Sequence, residues 1–383
     1  MNKQTIALFI GLCFLLVGCW DMREIEHMYY ANTIGLDYKD HHYIVYTQIV
    51  NFATIAKQEE VGGGDVNTES WVGQGQGDTL IDAVNNLYKR SQRRIYWGHL
   101  NTIVLSPAIL QHGIDDLIDF LTRYREFRYT LWMFATNNSI KEVLTTPAIF
   151  EKSPVYSQLG EPTDMYNQSS YIKPIQLHEF ISTKNEPAKT LYLPILSVAS
   201  HSWRDQSKKY PALEVNGSYF FTKYYDIRLM NRDQLKGLRW LTEQTNRTNI
   251  DIYKHQKPVA SLVMRKPNHS IRYFIKNGKP YFNITIKTRG TVEELNQSIS
   301  REKLKKTVQE YIRMDVYHTY ALSLKEKVDS YNLLYDIYKD NPKKWRSVTR
   351  KSPFPLSNAS LKRVRVNVIL DNAGKKRLEE GGD

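Results

Sequence analysis

The chain has 383 residues, 41% hydrophobic and 12% aromatic, with a formal net charge of +13 and two cysteines. The apolar content excludes a disordered chain, and the length suffices for two or three domains. Cys13 and Cys19 lie so close to the start that the body has no disulfide framework and no thiolate metal site.

In chain order, Lys3 gives a positive start and Ile6 to Val17 an apolar run. That run is too short for a bilayer, which needs roughly 20 apolar residues. It ends in Leu16-Val17-Gly18-Cys19, the layout of a lipoprotein export signal. The spacing therefore predicts a signal peptide over 1–18 and a mature chain lipidated at Cys19. A diacylglycerol there brings two acyl chains, and each buried CH₂ adds ~0.8 kcal/mol to membrane binding. Asp21, Arg23 and Glu24 beside this anchor are candidates for contacts with headgroups or partner subunits.

Alternation over Ala31 to Asp37 and Tyr43 to Phe52 predicts a hairpin turning at Lys39-Asp40-His41-His42, then a glycine-rich loop from Ala56 to Thr68. Trp71-Val72 ends a strand, and Asp78 caps a helix through Arg90. Tyr96 to Leu105 reads as one strand. Ser106-Pro107 opens a helix towards Tyr124. Arg128 to Ala135 is a strand, and Ser139 opens a short helix ending near Pro147. A helix is expected from Ile175 to Ser182, an apolar piece from Leu191 to Val198, and a polar linker from His201 to Pro211.

Beyond it, Tyr219 to Tyr225 and Ile227 to Met230 read as strands, and Asn231 caps a helix through Glu243. Val259 to Met264, Ile271 to Ile275 and Tyr281 to Arg289 read as three strands, with Asn277-Gly278 as the turn between the last two. A long helix spans Ser298 to Lys327, another Ser330 to Lys339, and Leu361 to Leu370 is a closing strand before Asn372-Ala373-Gly374. The whole is a mixed α/β (α+β) chain of two to three domains. Its mixed sheets are covered by helices, and the long helix lies in the C-terminal domain. The expected division is 1–18 signal, 19–205 N-terminal domain (with room for two subdomains), 206–377 C-terminal domain and 378–383 disordered tail.

No motif in this pattern requires catalysis. Gly73-x-Gly75-x-Gly77 does not fit a dinucleotide fingerprint or a P-loop, and reads as a tight turn into the helix at Asp78. His178-Glu179 lacks the second histidine of a zincin, and His41-His42 sits in a turn. There is no Gly-x-Ser-x-Gly elbow. Asp115-Asp116 and Glu293-Glu294 read as helix starts or surfaces. Arg123-Tyr124-Arg125-Glu126-Phe127-Arg128 is either a recognition surface or a helix-to-strand corner. The reading assigns no catalytic, cofactor or metal residue. Cations crowd the C-terminal part: Lys343-Lys344, Arg346, Arg350-Lys351, Lys362-Arg363, Arg365 and Lys375-Lys376-Arg377. With an export signal ahead of them, they favour an anionic membrane surface or acidic wall polymer over nucleic acid, as strongly as they fit a merely solvated face.

Cys19-Trp20-Asp21-x-Arg23-Glu24-Ile25 resembles the start of the mature chain in the Ger(x)C family, the lipoprotein C subunits of bacterial spore germinant receptors. In order after it come Gly35-Leu36-Asp37, Arg93-Arg94 with Gly98-His99, and Gln234 to Leu241. Pro342-x-x-Trp345, Phe354-Pro355 and the Val364 to Gly374 strand and turn follow, all similar to that family's pattern. Tyr331 to Tyr338 departs from it by lacking glycine. The resemblance implies a non-enzymatic, lipid-anchored subunit at the outer face of the spore inner membrane. It implies work with an integral-membrane B subunit and a membrane-bound A subunit in the response to nutrients, and it names no small-molecule ligand. The alternatives are a solute-binding lipoprotein delivering a nutrient to a transporter, which would show a cleft between domains, and a wall-active hydrolase.

Overall fold

The computed structural model describes residues 28–50, 70–149, 154–205, 208–222 and 226–371. The signal, Cys19, Asp21, Arg23, Glu24, the loop from Ala56 to Thr68 and everything after Asp371 lie outside the described residues. So do Asn51 and Phe52 at the end of the expected first hairpin.

β1 (Met28–Lys39) and β2 (His42–Val50) form that hairpin. Its turn residues Asp40 and His41 both take positive φ, 50° and 63°, which matches the right-handed twist of the flanking strands. β3 (Trp71–Gly77) pairs with β2, and α1 (Leu80–Tyr88) folds back over it. The glycine run is thus not a turn. Gly73, Gly75 and Gly77 lie in β3 under α1, where a Cβ on Gly75 would meet the Leu87 amide at 2.6 Å. The helix cap is Thr79, whose Oγ1 accepts the Asp82 amide at 3.1 Å. Asp78 instead meets His42 Nδ1 at 3.0 Å.

The strand expected over Tyr96 to Leu105 is two short ones, β4 (Arg94–Tyr96) and β5 (Thr102–Leu105), both parallel to β1. Between them Trp97 turns into the core and donates to the Tyr88 hydroxyl at 2.6 Å. The next helix also splits, at Gly113, into α2 (Pro107–His112) and α3 (Ile114–Arg123). β6 (Trp132–Thr136) and α4 (Ile140–Thr145) follow. Then come α5 (Pro162–Gln168), β7 (Ile175–Gln176) and α6 (Leu177–Asn185). β8 (Tyr192–Asp205) and β9 (Lys208–Phe221) pair as a long hairpin, so the run read as a linker is its far end, with Trp203 opposite Tyr210 and Arg204 opposite Lys209. Its polarity comes from solvent: Trp203 is 53% exposed and Arg204 and Lys209 are exposed with it. β10 (Ile227–Asn231) completes a ten-stranded sheet ordered β10-β9-β8-β6-β5-β1-β2-β3, with β4 and β7 off that path. Ile34, Leu36 and Ile103 face α1 to α3 on one side, and Val104 and Phe134 face α4 on the other.

The helix expected from Asn231 to Glu243 is only α7 (Leu238–Leu241). Asn231 Oδ1 does accept the Gln234 amide at 2.9 Å, but the Gly237 amide goes to Thr319 Oγ1 at 2.9 Å rather than into a helix ladder. β11 (Arg247–Lys254), unread in the sequence, pairs with β12 (Lys257–Lys276). β12 merges two expected strands, because Lys266 (φ 42°) and Pro267 form a bulge rather than a break. β13 (Lys279–Leu295) returns through the Asn277-Gly278 turn. The long helix is α8 (Arg301–Lys325), followed by α9 (Leu333–Asp340) and by α10 (Pro342–Thr349), which starts at Pro342 and was not expected. β14 (Leu361–Asp371) closes parallel to β13, giving the second sheet β11-β12-β13-β14. Leu304, Val308, Ile312 and Val316 form the buried stripe of α8, one turn apart, against Val364, Val366 and Val368.

Candidate functional site

The segment Gly237-Leu238-Arg239-Trp240 builds a joint on the long helix. A Cβ at Gly237 would strike the Tyr331 hydroxyl and approach the Asp315 carbonyl oxygen at 2.7 Å, so only glycine lets the chain lie this close to α8. Asp315 Oδ2 accepts from Arg239 Nη2 at 2.8 Å and from Trp240 Nε1 at 3.0 Å. The other Arg239 terminal nitrogen donates to Thr248 Oγ1 at 3.0 Å and to the Asn249 carbonyl at 2.9 Å, tying α8 to β11. Arg239 is 4% exposed, so the pair has little screening and each charge depends on the other.

The same guanidinium lies 4.7 Å from the ring centroid of Tyr171, which Arg232 also approaches at 4.0 Å. Tyr171 lies between α5 and β7 on the first sheet's side and reaches across to the arginines that lead into the second. One residue earlier, the fully buried Ser170 accepts the Asn246 and Arg247 amides at 3.1 and 3.3 Å, and its own amide donates to the Arg247 carbonyl at 2.7 Å. Ile172, Phe220, Met230, Leu235 and Val328 pack together, joining β9 and β10 of the first sheet to the turn after α8.

A cleft of about 710 Å³ opens between the α6–β8 connection, the ends of β9 and β10, and the α8–α9 turn. Leu191, Phe221, Leu334 and Phe354 give it apolar walls, and Lys189, Asp226, Arg228 and Asp329 give it charge. Asp226 and Arg228 pair at 3.4 Å. Asp329 accepts the Leu333 and Leu334 amides at 3.0 and 2.8 Å, anchoring the start of α9. Burial raises its carboxyl to about 6; the two amides oppose that shift and Asp336 adds to it.

The other expected residues fall into structural places. Gly35 lets α4 cross β1, since a Cβ there would run into Ile140. His99 packs edge-on against Tyr30 and Tyr96 at 5.3 and 5.7 Å. Glu179 is a capping residue: burial raises its carboxyl, but the Lys173 ammonium and the Gln176 amide outweigh this and hold it below the usual range. His178 Nδ1 lies 3.2 Å from the Tyr129 carbonyl oxygen. The Arg123 to Arg128 segment is a helix-to-strand corner, with Tyr124 and Phe127 packed at 4.7 Å and Arg128 donating to the Leu100 carbonyl. Asp115-Asp116 sit in the first turn of α3, whereas Glu293-Glu294 lie in β13, not on a helix; Glu293 faces Arg247 at 3.8 Å. Trp345 packs edge-on to Tyr338 at 5.2 Å. Among the described residues no three His, Cys, Asp or Glu side chains gather as a metal site. No described helix is long and apolar enough to cross a membrane.

These features define a two-sheet α+β protein whose motifs build joints between elements. Residues 21–198 match the model described as "Spore germination protein N-terminal domain", and residues 216–374 the one described as "Spore germination B3/ GerAC like, C-terminal". The chain belongs to the Ger(x)C family of spore germination proteins, the family of germinant-receptor C subunits. It is 26% identical to the YfkR protein of Bacillus subtilis (strain 168), over 85% of this chain and 86% of that one. It is 22% identical to spore germination protein KC of the same organism, over 91% and 90%. The crystal structure of the GerBC protein shares the fold, with a TM-score of 0.55 at 15% identity over 92% of this chain and all of that one.

Proposed function

We propose that this protein is the lipid-anchored C subunit of a germinant receptor. Cys19 carries the lipid once residues 1–18 are removed, and the two-sheet body stands at the outer face of the spore inner membrane. There it assembles with the A and B membrane subunits and needs no catalysis, cofactor or metal of its own. Asp21, Arg23 and Glu24 lie at the tether's root, within reach of headgroups or partner subunits. The observation that carries this reading is the family match: two germination-protein models cover the body in order, the first starting two residues after Cys19. Mechanistically, a tether confines the body beside its partners and raises their effective concentration without new contacts. The test is Cys19→Ala in spores. The variant is expected to leave the inner-membrane fraction and to slow nutrient-triggered germination. Full membrane retention with normal germination overturns the proposal.

The cleft favours a second reading, a solute-binding lipoprotein, because its volume lies within the usual range for small-ligand sites. Titration calorimetry of the purified protein with amino acids and sugars separates the two. Saturable heat would support this reading, and its absence the assembly role.

A further inference from the structure

Between Asp251 and Glu293 the chain has nine Lys or Arg residues and no acid; between Asp340 and Asp371 it has eight and again no acid. The second sheet brings parts of these two stretches side by side. β12, β13 and β14 bury one face under α8 and α9 and leave the other open. Across the open face, Arg272 aligns with Asn283 and Arg363, Ser270 with Thr285 and Arg365, and Asn268 with Lys287 and Asn367. Arg272, Lys287, Arg363 and Arg365 are exposed, and none forms an ion pair among the described residues. Neighbouring strands lie ~4.8 Å apart, so these like charges, diagonal or two strands over, stand roughly 7–10 Å apart and repel across the face. Toward the hairpin turn the next row is aromatic, before the exposed Lys276-Lys279 row: Phe274, 42% exposed, stacks on Tyr281 at 5.2 Å, and Lys362 Nζ lies 4.8 Å from the Tyr281 centroid.

Protection of an edge strand does not account for this arrangement. β14 is the edge, but α8 already occupies three of its carbonyls: Gln309 donates to Val366 at 2.9 Å, Arg313 to Val364 at 3.3 Å, and Arg301 to Leu370. The cations also extend to β12 and β13, which have neighbours on both sides. We infer that the open face of the second sheet is a docking surface for the phosphate headgroups of an anionic bilayer. Its four central cations meet the lipid phosphates, and Phe274 with Tyr281 settles at the headgroup boundary. The inference rests on the membrane attachment proposed above, and adds which face of the body is turned to the lipid.

The test uses the mature chain from Trp20 onward without lipid, so that binding reads the face and not the anchor. It is sedimented with vesicles of phosphatidylglycerol and phosphatidylethanolamine, and with vesicles of phosphatidylcholine. The expected result is binding to the anionic vesicles alone, weakening as salt rises. Joint Arg272→Glu, Lys287→Glu, Arg363→Glu and Arg365→Glu should weaken it at least tenfold. A control set with the same charge change on helices, Lys303→Glu, Lys306→Glu, Lys343→Glu and Lys344→Glu, should keep most of the binding. Glutamine at the four sheet positions should give an intermediate loss and guards against misfolding of the reversed set, with circular dichroism as the check. No binding of the parent chain to anionic vesicles, or equal losses in sheet and control sets, overturns the inference. An acidic protein as the occupant would give the first of these results. The lipidated sheet variant should stay in the membrane fraction, whereas Cys19→Ala should leave it, so the anchor and the face fail separately.

Discussion

Asp315 pins α7 to α8, because one carboxylate oxygen serves both the guanidinium of Arg239 and the indole of Trp240. Removing one partner of a buried ion pair costs about 3–5 kcal/mol, since the other charge stays buried. Asp315→Ala is therefore expected to lower stability by about that amount in urea unfolding, and Asp315→Asn, which keeps an acceptor, by less. A loss under about 1 kcal/mol, the range of a surface pair, would mean that the joint bears little of the fold. Asp329 acts with the opposite sign. Its carboxyl is raised to about 6 chiefly by burial, so the native state holds the proton more tightly than the unfolded chain, whose value is near 3.9. The stabilisation is full below about pH 4 and is lost as pH rises through 6, on the order of 2–3 kcal/mol. Asp329→Asn should flatten that part of the stability profile relative to the parent, measured by denaturant midpoints from pH 4 to 7. At this scale the sequence shows one half of the Asp315 joint. Gln234 to Leu241 stands out through the family pattern, but Asp315 lies on a helix crowded with charges, and only its place beside the Ile312, Val316 and Thr319 stripe sets it apart.

Glycines serve two different purposes in the elements, and substitution separates them. Gly75 has ordinary strand geometry but lies against the backbone of α1, with the Leu87 amide 2.6 Å from where a Cβ would sit. Gly278 has open space around it but a φ of +71° in the β12–β13 turn. Gly75→Ala must lift α1 from β3, an overpacking cost of about 1–3 kcal/mol. Gly278→Ala incurs only the left-handed backbone penalty, ~1 kcal/mol. Equilibrium denaturation should rank the Gly75 variant as the less stable; the reverse order would mean that α1 does not depend on close approach. The two cases also show why local patterns carried only so far. Asn277-Gly278 is a turn signal between alternating strands and is legible in the sequence, because the turn's chemistry is local. Gly73 to Gly77 looks like a turn in sequence because its reason, a helix lying across the strand, is contributed by residues 80–88. Lys266-Pro267 broke the alternation of β12 without breaking the strand, since the bulge keeps pairing on both sides.

The two sheets are joined through a polar seam as well as an apolar one. Ser170 leaves two amides of the second sheet's first strand region, Asn246 and Arg247, without an acceptor if its hydroxyl is removed. The apolar cluster around Phe220, Met230 and Val328 is small beside the cores of the individual sheets. None of this seam is legible in the sequence, where Ser169-Ser170-Tyr171 sits in a stretch rich in Ser, Asn and Gln that carries no periodicity. Each buried amide left unsatisfied costs about 1–3 kcal/mol, and in Ser170→Ala that loss falls on the contact between the sheets and on neither core. The parent chain is expected to unfold in one calorimetric transition, with the sheets stabilising each other. Ser170→Ala should uncouple them, raising the ratio of calorimetric to van't Hoff enthalpy above one or resolving a second peak. If the variant instead melts as a single narrow transition at a lower temperature, the sheets are coupled mainly through the Phe220 and Met230 cluster. In that case Met230→Ala is the substitution that should separate them.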